Sequence, residues 1–268
     1  MINGEIIKSF FLRNIKLSIA VSLIMALITL LLTTLFPDMP ESDALNISSS
    51  WPQLMKDLFG DPIYGFTDIY GWLNLQLFHI TFWMFLGIFA AILSSHIIAR
   101  EIEEKTIDIV LSCPISRTGL ILNRLSATVI ILVFASLLTL LSNVLGLMIL
   151  KIPIDFDLLF TTYISGLLLC LAFASISLLI SVWIPHQSYT VFLTIGIMAA
   201  MFFCEELLVK LIPFFGKFSF LNLFHFYKPN EILIQGVISI KNLVILFGYF
   251  MLLSLVSILS FKEKDIPL

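Results

Sequence analysis

Six stretches without a single Asp, Glu, Lys or Arg, at residues 17–36, 69–99, 125–150, 158–184, 185–204 and 242–261, decide most of what this chain can fold into. Each is near or above the ~20 residues that a helix rising about 1.5 Å per residue needs to cross a hydrocarbon core. A soluble domain carries roughly 25% charged residues. Here 12% of 268 residues are charged, 59% are hydrophobic, 25 are Phe, and the mean hydropathy is +1.06. The expectation is an all-α integral membrane protein, one transmembrane domain over residues 1–268 with the lipid bilayer as its solvent. Its six transmembrane helices are placed at 17–36, 69–99, 124–150, 158–184, 187–204 and 242–261.

The formal charge of −3 gives no support to a nucleic-acid partner, because the basic residues are scattered through the connections and form no dense patch. Cys113, Cys170 and Cys204 have neither paired spacing nor a CxxC, so they read as packing residues and predict no disulfide framework and no metal site. The first apolar run is too long for a cleavable signal and ends in "TTLFPDMP", without a small-x-small cleavage site; it is expected to stay attached.

With an even number of spans both termini share one side. That side would hold Lys8, Arg13, Lys16, Arg100, Lys105, Arg117, Arg124, Lys262 and Lys264; the other would hold Lys56, Lys151, Lys210, Lys217, Lys228 and Lys241. The larger group predicts cytoplasmic termini, and hence a multi-pass protein of the cell (plasma) membrane.

Several pieces lie outside the spans. Residues 1–16 place Ile2, Ile6, Ile7, Phe10 and Phe11 at helical spacing, which predicts an interfacial helix leading as an elbow into the first span. The loop over 35–68, rich in Pro, Asp, Ser and Gly, reads as irregular except for a short amphipathic helix around 51–59. The segment 205–241 mixes aromatics with single charges and is interrupted by Pro213, Gly216 and Pro229, so it reads as broken helices re-entering the outer leaflet.

Between the second and third apolar runs stands "AREIEEKTIDIVLSCPISR", residues 99–117. Arg100, Glu101, Glu103, Glu104, Lys105 and Asp108 would together cost roughly 15 kcal/mol in hydrocarbon at about 2.5 kcal/mol per charge, so they must lie outside it. Glu101 with Lys105, and Arg100 with Glu104, have i,i+4 spacing, while Ile102, Thr106, Ile109, Val110 and Cys113 share a face. An amphipathic helix is expected, stopped by Pro114, with Ser116 capping the next helix.

This stretch, with Asn123 and Arg124 beyond it, resembles the signature of ABC-2-type exporter permeases. That signature reads Arg-Glu-x-Glu, Gly-Thr-Leu-Glu, paired leucines, Pro-hydrophobic-Ser-Arg and a later Gly-Lys. Arg100, Glu101, Glu103, Thr106, Asp108, Val110, Leu111, Pro114, Ser116 and Arg117 match or substitute conservatively. Lys105 stands where the family usually has Gly, and Asn123-Arg124 where it has Gly-Lys. The resemblance implies a transmembrane permease subunit of an ATP-binding cassette exporter, paired with a second permease chain, identical or homologous, and with separate ABC ATPase subunits. It further implies a coupling helix at 100–117 that docks on the ATPase, with Arg100, Glu101, Glu103, Lys105, Thr106, Asp108, Ile109, Leu111, Pro114 and Arg117 as coupling residues. The chain has no GxxxxGK[ST], since Gly216-Lys217 is followed by Phe218 and lacks a Gly five residues earlier. It is therefore expected to be no enzyme and to hold no cofactor, with ATP and Mg bound by the partner ATPase.

Two other classes compete. A membrane anchor or assembly subunit would need the same spans but no ATPase that responds to it. A CAAX-type intramembrane protease would use Glu205, Glu206 and His225, yet Lys210 stands in place of the Arg of that motif and the residues around His225 are misspaced. Within the spans, His79, His96, Asn74, Gln76 and Asn143 read first as hydrogen-bonded packing residues, with a transport role as the second reading. The substrate is not legible.

Overall fold

The computed structural model describes residues 4–37, 39–52, 56, 62–106, 116–209 and 212–264. Every regular element among them is helical. Six helices are long and apolar enough to cross a membrane: α1 (Gly4–Thr34), α4 (Ile69–Ser95), α6 (Arg117–Leu150), α7 (Phe156–Trp183), α8 (Gln187–Leu208) and α11 (Ile240–Glu263). Between them lie the short helices α2 (Glu41–Ser50), α3 (Pro62–Thr67), α5 (Ala99–Glu103), α9 (Pro213–Gly216) and α10 (Pro229–Leu233).

Among the described residues no separate elbow helix precedes the first span. After Gly4, neither Gly nor Pro interrupts the sequence up to Thr34, and the two expected pieces form one unbroken helix of 31 residues. The first long connection also holds a helix at 41–50; of the 51–59 expected to be helical, residues 53–55 and 57–59 lie outside the described residues. Starts are set by side-chain caps. Asp68 accepts from Gly71 N at 2.9 Å, Ser116 from Gly119 N at 3.1 Å and Asp155 from Leu158 N at 3.3 Å, each satisfying a donor that the first helical turn leaves open.

α1 buries Phe10, Asn14, Ser18, Ser22, Met25, Thr29 and Thr33, spaced three or four apart and hence on one face. This face meets α6, where Ser142 Oγ donates to the Ala26 carbonyl at 2.5 Å, and a Cβ on Gly146 would lie 2.8 Å from Thr33. Small residues allow such close backbone approach, which is how helices associate where lipid removes the hydrophobic drive. The opposite face exposes Leu23, Leu27 and Leu31, an apolar surface suited to hydrocarbon.

α7 is the most enclosed helix and packs on α4, α6, α8 and α11. In its first third, Tyr163 meets the rings of Phe78 and Phe82 edge-on at 5.0 and 5.3 Å. A second aromatic cluster joins Trp83 of α4 to Phe202 of α8 and Phe224 at 4.9 and 4.8 Å. α4 and α8 each contain one widened π turn, Asn74–Thr81 and Cys204–Leu208. Tyr227 Oη donates at 2.8 Å to the Phe78 carbonyl, within the first of them.

Beyond α8 the chain is broken as its prolines and glycines predict. α9, the 3-10 turns Ser219–Leu221 and Leu223–His225, and α10 are each five residues or fewer, too short to cross a bilayer. Cys170 is buried and free, Cys204 is free, and Cys113 lies outside the described residues.

Candidate functional site

The helices alternate in direction, so residues far apart in sequence converge at the end of the bundle that carries the charged signature. α5 and the residue after it supply three acids to this end, and each is tied to a different set of neighbours. Glu101 is 2% exposed. Its Oε1 accepts from Arg13 Nη1 of α1 at 2.5 Å and from Arg124 Nη2 of α6 at 3.2 Å, and its Oε2 accepts from Thr106 Oγ1 at 2.5 Å. Arg124 also donates to the Ile97 carbonyl at 2.8 Å and lies 5.8 Å from the centre of the Phe10 ring. Such enclosure is tolerable for a carboxylate only where opposite charge and donors meet it.

Glu103 accepts from the backbone N of Gln187 at 2.8 Å, so it closes the first turn of α8 with a negative charge where the helix dipole favours one. Glu104 accepts from Arg13 at 2.5 Å and from Arg100 Nε at 2.7 Å. Its hydrogen bond from Arg100, with the charges of Arg100 and Arg13 adding, holds the carboxyl below the usual range. One residue past the end of α4, His96 is buried between Asn14 and Gln187. Asn14 Nδ2 donates to the Phe10 carbonyl, so its Oδ1 accepts from His96 Nδ1 at 2.7 Å; the other ring nitrogen then accepts from Gln187 Nε2 at 3.0 Å. This arrangement suits a neutral ring, and burial, followed by the charges of Arg100 and Arg13, pulls its pKa down to about 4. Arg117 donates to the Lys264 carbonyl at 2.7 Å, and the Lys264 ammonium bonds the Val182 carbonyl at the end of α7.

Over its described part, residues 100–106, the expected continuous helix over 100–114 is interrupted. α5 stops at Glu103 because the chain turns left-handed at Lys105, with φ of 55°. Lys105 N donates to the Ile102 carbonyl at 3.1 Å and Thr106 N to the Glu101 carbonyl at 2.9 Å, the paired bonds of a Schellman cap. That position favours Gly, which gives a physical reason for the Gly of the resembled signature at Lys105. The Arg100–Glu104 pair is present, whereas the expected Glu101–Lys105 pair is replaced by the bonds of Glu101 to Arg13, Arg124 and Thr106. Among the described signature residues, Glu103, Glu104 and Lys105 are exposed, while Glu101 faces inward. Asp108, Ile109, Leu111 and Pro114 lie outside the described residues.

Sequence reasoning missed Arg13, Asn14 and Gln187 as members of this knot. For Arg13 and Asn14 the one local signal was a cation and an amide interrupting an apolar helix face; for Gln187 there was none.

At the opposite end, the two π turns and the crossover 222–231 enclose a cavity of about 430 Å³. Glu205 Oε1 and His225 Nδ1 lie 2.9 Å apart on its wall, and Lys228 pairs with Glu231 at 2.9 Å. The structure thus brings together the Glu and His considered for proteolysis, but Lys210 lies outside the described residues. Among the described residues no group of three or more His, Cys, Asp or Glu could hold a metal ion.

The sequence matches the family described as ABC-2 family transporter protein over residues 9–266. The chain belongs to the ABC-2 transporter family. A comparison with curated proteins returns no match. As an ABC-2 protein with six spanning helices it is a multi-pass membrane protein and the transmembrane permease part of an ABC transporter, a transport subunit whose family works with ABC ATPases. The charged knot of this ABC-2 chain is therefore a meeting point of helices in a transporter.

Proposed function

We propose that the chain is one permease of an exporter in the plasma membrane, with both termini in the cytoplasm, pairing with a second identical or homologous permease chain. Its charged end receives an ABC ATPase subunit, which binds ATP and Mg. The exposed Glu103 and Lys105, with Arg100, Thr106 and the downstream Asp108, Ile109, Leu111 and Pro114, form the docking segment. Glu101 and Arg117 are positioning residues, holding that segment to the bundle. On the far side the broken segment 205–241 closes the translocation path.

The observation that carries this reading is the enclosure of Glu101 between Arg13 and Arg124. A push on the docking segment reaches α1 and α6 through that carboxylate and α8 through Glu103, so motion of the ATPase has a stiff route into the spans. A solvated connector has no need of three helices clamped to it.

The test is co-purification of the ABC ATPase subunit and its stimulated ATP hydrolysis. Lys105→Glu, and Ile109→Ala with Leu111→Ala, should weaken assembly. Glu101→Gln should leave assembly intact but reduce stimulated turnover and export together, since it loosens the clamp and leaves the docking surface in place. Unchanged assembly and turnover in all three would reduce the segment to a connector.

A further inference from the structure

We propose that the cavity between α4, α8 and the crossover 222–231 is a recognition site for an organic cation that carries N–H donors beside an apolar body, a primary ammonium or a guanidinium. Asn74, which lines the cavity, is 6% exposed; its Nδ2 donates to Asn230 Oδ1 at 3.3 Å, but its buried Oδ1 has no hydrogen-bond partner. Glu205, also a lining residue, engages His225 through one oxygen, while the other is buried without a partner. Two buried acceptors with no donor are costly unless something donates to them. As one of them belongs to a carboxylate, the donor that fits best is charged.

The rest of the wall agrees. Phe202, Phe224 and Tyr227 supply aromatic surface, which attracts cations through the ring face and also accommodates an apolar body. Glu205, Glu206 and Glu231 outnumber Lys228, whose ammonium is already held by Glu231, so an anionic group would meet repulsion. A metal ion is a poorer occupant, because no three His, Cys, Asp or Glu among the described residues converge to hold one. The volume of about 430 Å³ suits a small molecule.

Both walls depend on the π turns, at Asn74–Thr81 and Cys204–Leu208. A π turn inserts one extra residue and rotates the rest of the helix about its axis, a distortion often found at functional sites. Here the two distorted turns face one cavity and put Asn74 and Glu205 on its wall. The site lies at the opposite end from the signature, so it does not depend on ATPase coupling and can be probed without the ATPase.

The experiment is calorimetric titration of the full chain in nanodiscs with benzylammonium, benzyl alcohol and benzoate, subtracting empty nanodiscs. Benzylammonium should bind saturably, benzyl alcohol at least about tenfold more weakly, and benzoate not at all. Glu205→Gln, which keeps the shape of the side chain, should weaken benzylammonium about tenfold or more. Lys228→Met, which releases Glu231 to face the ligand, should tighten it. Equal binding of benzyl alcohol and benzylammonium, an absence of saturable binding, or indifference to both substitutions would overturn the proposal. If Glu205→Gln fails to fold, the sign of the Lys228→Met effect decides alone.

Discussion

A carboxylate as enclosed as Glu101 is held by donors from three places: Arg13 of α1, Arg124 of α6 and Thr106 just beyond α5. Little of this was legible locally, because i,i+4 spacing favoured Lys105 and both arginines arrive from other helices. What was legible is that charges so dense must leave the hydrocarbon, and the described ones do gather at one end. His96 belongs to the same knot, and its titration gives a measurable consequence. In the fold its pKa is pulled down to about 4, from an ordinary value of 6.5. Between those values the unfolded chain holds a proton that the folded chain does not, so stability is intact above about pH 6.5 and declines as the pH falls toward 4. Acidification from pH 7 to pH 5 should cost roughly 2 kcal/mol, at 1.36 kcal/mol per pH unit of difference. Denaturant unfolding of the chain and of His96→Gln across that window measures it; the variant should lose markedly less, and an identical acid slope in both would assign the loss to other groups.

At the scale of elements, the six spans were readable because nothing except a bilayer explains charge-free runs of that length. Their ends were read less well. α6 begins at Arg117, seven residues before the expected 124, because hydropathy marks where hydrocarbon begins whereas a helix begins at its cap, here Ser116. The π turns left no mark in composition; they answer to packing, as the contact of Tyr227 with the Phe78 carbonyl illustrates. Packing between α4 and α7 is tight enough to test at one atom. A Cβ on Gly166 would lie 2.5 Å from Phe82 Cε1, and Phe82 is fully buried with its ring against Tyr163. Neither ring has space to swing away. Gly166→Ala should therefore destabilise by about 1–3 kcal/mol through overpacking, whereas Gly196→Ala in α8, with nothing within 4 Å of its Cβ, should be neutral or stabilise by a few tenths to about 1 kcal/mol. Thermal unfolding in detergent separates the two, and equal effects would mean that the contact between α4 and α7 yields to an added methyl group.

For the whole molecule, the alternation of six helices sets which residues share an end, and contacts bear this out at both: Arg117 reaches Lys264 at one end, while Trp72 Nε1 reaches the Leu32 carbonyl at 2.6 Å at the other. Which end faces the cytoplasm is a separate matter, and the Lys and Arg residues decide the expectation. The signature end gathers nine of them against six, and Lys and Arg resist translocation across the membrane. The prediction uses two exposed sites on opposite ends, Ser49 in α2 and Lys105 at the close of α5. In a chain whose Cys113, Cys170 and Cys204 are replaced by Ala, a membrane-impermeant maleimide added to intact cells should modify Ser49→Cys and spare Lys105→Cys until the membrane is opened. The reverse pattern would keep the fold and invert the orientation, removing the docking segment from the compartment that holds ATP and with it the coupling proposal. Modification of both from outside would break the alternation itself, because no even-numbered bundle of six crossings can place the connection after α1 and the connection after α4 on the same side.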